Sequence, residues 1–346
     1  MAGDVCRLHA RRALRVRRSS SWLGLSERLL VPVSVVASGA LAVLVAQAAS
    51  ATGCAGPASE QPRDTTRALE AAPSEPPAEA PAQPRATPAA TEPAGPRPCA
   101  RVVVSAVPEG VRVAFGIAPF YEKYVDVGGL PLVSSARVSD RAFAVAADIL
   151  EHMLSGRPDV RAQLVATRVR VGIMAASEVT TDMPEHSDLN QAFPATDWNA
   201  RARGLGATRA RPLTSVGEEN LLQLPGARYT GESILVHEFG HTFFGLGVAA
   251  LPGGDRLAAR LDQAYRNAVA GGFFANTYAG TNAQEYWAEG VQSWFDTNLE
   301  ADPPNGVHNH VNTREELLAY DPALAALIRE VGLPGDGWRP LCVLPP

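Results

Sequence analysis

The feature that most limits what this chain can fold into is the run at residues 233–244, where His237-Glu238-Phe239-Gly240-His241 is embedded among Ile234, Leu235, Val236, Phe243 and Phe244. A segment apolar on nearly every side is stable only as a buried helix. Residues four apart on a helix share one face, so His237 and His241 present two imidazoles side by side. Buried rings of that kind need polar partners, and the fold must bring those partners from another element. Histidine, glutamate and histidine at this spacing suit a divalent cation, with Glu238 placed to take a proton from water beside it.

Two imidazoles do not complete such a site, because a catalytic zinc ion usually takes three protein ligands and keeps one position open. A metzincin pattern calls for glycine at position 244 and histidine at 247, where this chain has Phe244 and Gly247, and no histidine lies between His241 and His308. An aspzincin pattern calls for aspartate where Gly280-Thr281-Asn282-Ala283 is followed by Gln284. What remains is a carboxylate on a second helix. Glu285-Tyr286-Trp287-Ala288-Glu289 is its source, with Glu285 expected as the third ligand. Glu289, four residues on and facing the same way, is expected to accept the outer N–H of a histidine ligand.

Taken together, His237-Glu238-Phe239-Gly240-His241, Tyr278 and Asn282-Ala283-Gln284-Glu285-Tyr286-Trp287-Ala288-Glu289 resemble the catalytic domain of anthrax lethal factor and related gluzincins, bacterial Pro-Pro endopeptidases among them. The resemblance covers residues 230–300 and no other part of the toxin. It implies a zincin-like peptidase domain with Glu285 as third zinc ligand. It also implies that Tyr278, seven residues earlier, faces the substrate carbonyl and donates to the developing oxyanion. Protein or peptide substrates and a Zn2+ cofactor follow from it. The alternative is a zinc-stabilised surface binding module without turnover, against which the presence of Glu238 argues, since holding a metal needs no general base.

Composition decides where that domain lies. Residues 1–53 carry seven arginines against Asp4 and Glu27, followed from residue 29 by an uncharged stretch, which is the arrangement of an export signal. The stretch ends in Ala51-Thr52-Gly53-Cys54, which allows lipidation of Cys54, simple cleavage after Ala51, or retention as a signal anchor. Each route exports the remainder to an extracytoplasmic location, as an envelope lipoprotein, a membrane-anchored protein or a secreted one. Residues 54–98 are rich in Pro, Ala, Glu and Thr and have too few large apolar groups to order themselves. They read as a spacer with a reach of roughly 130 Å if fully extended. The formal net charge of −5 leaves −10 from Cys54 onward once the basic leader is set aside, and Lys123 is the one lysine, so nucleic acid is not an expected partner.

Residues 99–346 form the expected folded domain, α+β and helix-rich with a small mixed sheet. Cys99 and Cys342 stand at its two ends, and in an oxidising compartment they are expected to pair. Val-rich residues 101–107 and 111–115 predict two strands around a turn, and residues 165–174 a buried strand. Residues 175–220 carry little periodicity and predict an irregular stretch. Helices are expected at 140–155, 231–244, 255–270, 282–298 and 321–331. His186, the pair His308 and His310, and Glu218-Glu219 read as solvated polar groups in turns and loops.

Overall fold

A computed structural model describes residues 97–99, 101–340 and 342–343. The expected export signal, Cys54 and nearly all of the expected spacer lie outside the described residues.

A six-stranded mixed sheet forms one layer. In chain order its strands are β2 (Ser105–Ala106), β3 (Lys123–Val127), β4 (Leu130–Ser134), β5 (Arg170–Met174), β6 (Gly204–Leu205) and β7 (Leu213–Gly217), arranged β2-β3-β4-β5-β7-β6. Strands β4, β5 and β7 are mutually parallel and fully buried, whereas β6 runs antiparallel to β7 at the sheet edge. Two further strands, β1 (Arg97–Pro98) and β8 (Cys342–Val343), pair in parallel, and the Cys99–Cys342 disulfide joins the same two segments across 243 residues of sequence.

Helices α1 (Glu109–Phe115), α2 (Asp140–Met153) and α3 (Pro158–Ala166) precede the middle of the sheet, and α4 (Leu189–Ala192), α5 (Trp198–Arg201) and α6 (Glu218–Leu221) are single turns around its last strands. The second half is helical: α7 (Ile234–Thr242), α8 (Gly254–Ala270), α9 (Ala283–Trp294), α10 (Arg314–Tyr320) and α11 (Pro322–Glu330). This is the expected α+β, helix-rich arrangement with a small mixed sheet. Among the described residues no helix is long and apolar enough to cross a membrane.

The chain departs from the sequence expectations in ways that have physical causes. Residues 109–115 are helical rather than a strand, because Pro108 starts the turn and the Arg112 guanidinium donates to the carbonyls of Ile117, Ala118 and Tyr121. The buried strand begins at Arg170 rather than 165, since Pro158 at the first helical position opens α3 and carries it through Ala166. Within 175–220 lies an interior strand, β7, whose Thr214 and Ser215 disguise it in the sequence although both are fully buried. Glu218 is likewise buried rather than solvated, accepting from the backbone N–H of Ser139 at 2.6 Å, and Glu219 pairs with Arg203 at 2.6 Å.

His186 is also inside, 1% exposed, with Nε2 at 3.0 Å from Ser215 Oγ and Nδ1 without a hydrogen-bond partner. Burial pushes its pKa down to about 4. The folded chain therefore binds fewer protons than the unfolded chain between about pH 6.5 and 4, and stability must fall as pH drops through that window. The expected loss by pH 4 is about 3 kcal/mol. Urea unfolding at pH 7 and pH 4 should show a His186→Gln variant losing less than the wild type by about that amount. Equal losses would mean that His186 is not buried uncharged.

Candidate metal centre

Helix α7 starts at Ser233, whose hydroxyl accepts from Val236 N–H, while Asn220 Oδ1 receives the N–H of Ile234 at 2.9 Å. Its opening is thus fixed to α6, and beyond Thr242 it continues into a π-helical turn at Phe243–Gly247. Helix α9 starts at Asn282, whose side chain accepts from the N–H groups of Gln284 and Glu285. That cap sets Glu285 in the first turn. The two helices are locked by Trp287, which donates its indole N–H to Gly240 O at 2.9 Å and packs its ring on Phe244. Strand β6 passes close on the other side of α7. A Cβ at Gly204 would lie 2.5 Å from Ile234 Cγ2, and one at Gly206 would lie 2.9 Å from His241 Cβ, so both positions need glycine for this approach.

This packing brings three ligand atoms together. His237 Nε2 lies 3.2 Å from His241 Nε2 and 3.1 Å from Glu285 Oε2, and His241 Nε2 lies 3.2 Å from the same oxygen. A tetrahedral ion with bonds of about 2.0–2.1 Å keeps its ligands roughly 3.3–3.4 Å apart, so the triangle matches such an ion in size as well as in donor type.

The tautomer of His237 sharpens the fit. Gln292 donates its amide N–H to Glu232 Oε2 and Ser233 O, both at 3.3 Å, which leaves its Oε1 to accept from His237 Nδ1 at 2.7 Å. With the proton on Nδ1, the Nε2 lone pair of a neutral imidazole points at a carboxylate and at a second imidazole. Three electron-pair donors facing one point repel one another unless a cation or a proton sits among them. Without a metal the proton takes that place. Burial alone would lower the His237 pKa, but the Glu285 hydrogen bond and the Glu238 and Glu289 carboxylates outweigh it and push it up to about 10. Burial would raise Glu285, yet its bonds with the two imidazoles hold it below the usual carboxylate range.

The surrounding groups complete the site. Glu238 has its pKa raised by burial, an effect only partly opposed by the two imidazoles. Tyr278 donates its hydroxyl to Glu285 Oε1 at 3.1 Å, and burial followed by the Glu285 charge keeps that hydroxyl protonated. The loop that carries Tyr278 is held in an unusual conformation, with Phe274 at φ 56° and Asn276 at φ 55°, tied down where Tyr320 Oη accepts the N–H of Phe274. Glu289 lies behind His237 with Oε1 at 3.4 Å from Nδ1.

Gln292, the closer acceptor, escaped the sequence reading. The signal was there, since it falls seven residues after Glu285 and so on the same face of α9. Removing such an outer acceptor typically weakens metal binding 10–100-fold. Gln292→Leu should therefore show that loss when zinc affinity is measured against a chromogenic chelator, and an unchanged affinity would deny Gln292 the role. His308, expected to be solvated, is instead buried behind Glu289, because its loop folds back over α9, whereas His310 is exposed.

No protein-family model matches the chain, and no curated protein matches it. Among solved structures it is similar to the PRO-PRO endopeptidase PPEP-2 from Paenibacillus alvei, at 16% sequence identity and a TM-score of 0.39, over 58% of this chain and 96% of that one.

Proposed function

We propose that this chain is an exported zinc-dependent endopeptidase acting on extracellular or envelope proteins. The observation that carries this reading is the convergence of His237 Nε2, His241 Nε2 and Glu285 Oε2 on one point, each within 3.2 Å of the others. When bound there, a zinc ion supplies Lewis acidity, polarising a carbonyl and making a water molecule acidic enough to ionise near neutral pH.

The chain's own groups do the rest. Glu238, with its raised pKa, is suited to take the water's proton and return it to the departing amine. Tyr278, held as a neutral phenol, has a hydrogen to donate to charge developing on the carbonyl oxygen once substrate displaces it from Glu285. Gln292 and Glu289 keep His237 oriented. A peptide substrate suits the setting, because β6 ends the sheet, with its Gly204 against Glu238 and the following Gly206 against His241. An extended segment that adds to this edge would lay its backbone across the site. The basic leader and the proline-rich spacer support action outside the cytoplasm, either at the end of a lipid or signal anchor or after release.

The test is to incubate the purified chain with a peptide library, with and without a strong chelator. The expected result is cleavage that the chelator abolishes and added zinc restores. Cleavage that survives the chelator, or none in zinc-loaded protein, would contradict the reading.

A further inference from the structure

Behind His237 the described residues close into a ring of buried polar groups, part of which hydrolysis does not use. From His237 Nδ1 the ring runs to Gln292 Oε1 at 2.7 Å, and from the same amide's nitrogen to Glu232 Oε2 at 3.3 Å. It continues from Glu232 Oε1 to His308 Nε2 at 3.9 Å, and from His308 Nδ1 to Glu289 Oε2 at 3.9 Å. Glu289 Oε1 then closes it on His237 Nδ1 at 3.4 Å.

Three members of this ring, Glu232, Glu289 and His308, are at most 8% exposed. Two carboxylates in such a place need more than the amide each receives, from Gln292 on Glu232 and from Asn298 on Glu289 at 2.9 Å. His308 stands between them with one ring nitrogen towards each carboxylate.

Both gaps at His308 exceed hydrogen-bond length, and its Nδ1 is buried without a partner. Beside it is a cavity of about 10 Å³ lined in part by Glu289, Ser293, Asn298, His308 and Asn309. That is roughly the room one water needs, and these groups supply its hydrogen-bond partners. The same loop also reaches the front of the site. Asn305 Oδ1 accepts from the N–H groups of Val307 and His308, and Val307 O accepts from the N–H of Tyr278 at 2.8 Å.

We propose that His308 is a positioning residue for the metal centre: lodged between Glu232 and Glu289, with one water relaying its contact to Glu289, it holds in place the carboxylate and the amide that orient His237. The inference rests on the zinc reading of His237, His241 and Glu285, and it assigns a second layer of control to a loop some 70 residues further along the chain.

The test compares wild type, His308→Gln and the double variant Glu232→Gln/His308→Gln. Two quantities are read: zinc affinity by competition with a chromogenic chelator, and the visible absorption spectrum of the cobalt-substituted protein. His308→Gln is expected to weaken zinc binding 10–100-fold and to shift the cobalt bands. The double variant, which removes one carboxylate's charge along with the imidazole, is expected to recover most of the lost affinity. If His308→Gln does not fold, refolding of the double variant with zinc bound supports the proposal, and its failure overturns it. Wild-type zinc affinity and an unchanged cobalt spectrum in His308→Gln also overturn it, whatever that variant's melting temperature. Wild-type protein that binds no zinc overturns both this proposal and the reading beneath it.

Discussion

Glu238→Gln is expected to lower peptide cleavage by about 10²–10⁴-fold while leaving zinc bound in full. Glutamine keeps the size of the side chain but cannot accept the water's proton at neutral pH. The ligand triangle does not include residue 238, so it should survive the substitution. Parallel measurement of peptidase rate and zinc content separates the two functions open to such a site. An enzyme loses rate and keeps metal. A surface module that uses zinc only to hold its fold has no cleavage to lose, and wild type and variant would then be equally inert.

The second large effect is expected in stability. The Cys99–Cys342 disulfide closes a loop of 243 residues, nearly the whole folded region. Loop-closure entropy alone gives such a bridge about 5 kcal/mol at 25 °C, a large part of the total stability of an ordinary domain. The paired strands β1 and β8 join only two residues each and would hold the ends weakly without it. Wild type should lose several kcal/mol in reductant, and a Cys99→Ser/Cys342→Ser variant should match the reduced wild type with no further response. Denaturant unfolding in which reductant has no effect on wild type, together with two free thiols by mass spectrometry, would remove the bridge from the account.

The parts of this fold that were legible in sequence are those whose signal is local. Helices α2, α8, α9 and α11 announce themselves by apolar spacing, and Ser139, Asn282 and Asp321 cap three of them with side-chain acceptors. The illegible parts depend on distant packing. Val111 and Val113 alternate like a strand, and only Pro108 and the reach of Arg112 turn that stretch into α1. Thr214 and Ser215 look like loop residues because nothing nearby in sequence reveals that α7 will cover them, as it does when Thr214 Oγ1 meets Thr242 Oγ1 at 2.6 Å.

The candidate site divides along the same line. His237, Glu238 and His241 lie within one turn of helix, and Glu285 and Glu289 on one face of another, so their chemistry could be read from spacing. Gln292 shares that face of α9, but Glu232 and His308 reach it from the turn before α7 and from a loop beyond Trp294. Their meeting is set by the packing of α7 on α9 through Trp287 and Gly240, which no spacing rule expresses.

The central claim is that one metal ion is held by His237, His241 and Glu285, and its most direct test is zinc analysis with X-ray absorption at the zinc edge on full-length protein purified without added metal. The account predicts one zinc per chain, with light-atom ligands at about 2.0–2.1 Å, and loss of that zinc in His241→Ala. Protein free of stoichiometric transition metal, or zinc retained undiminished in His241→Ala, would contradict it.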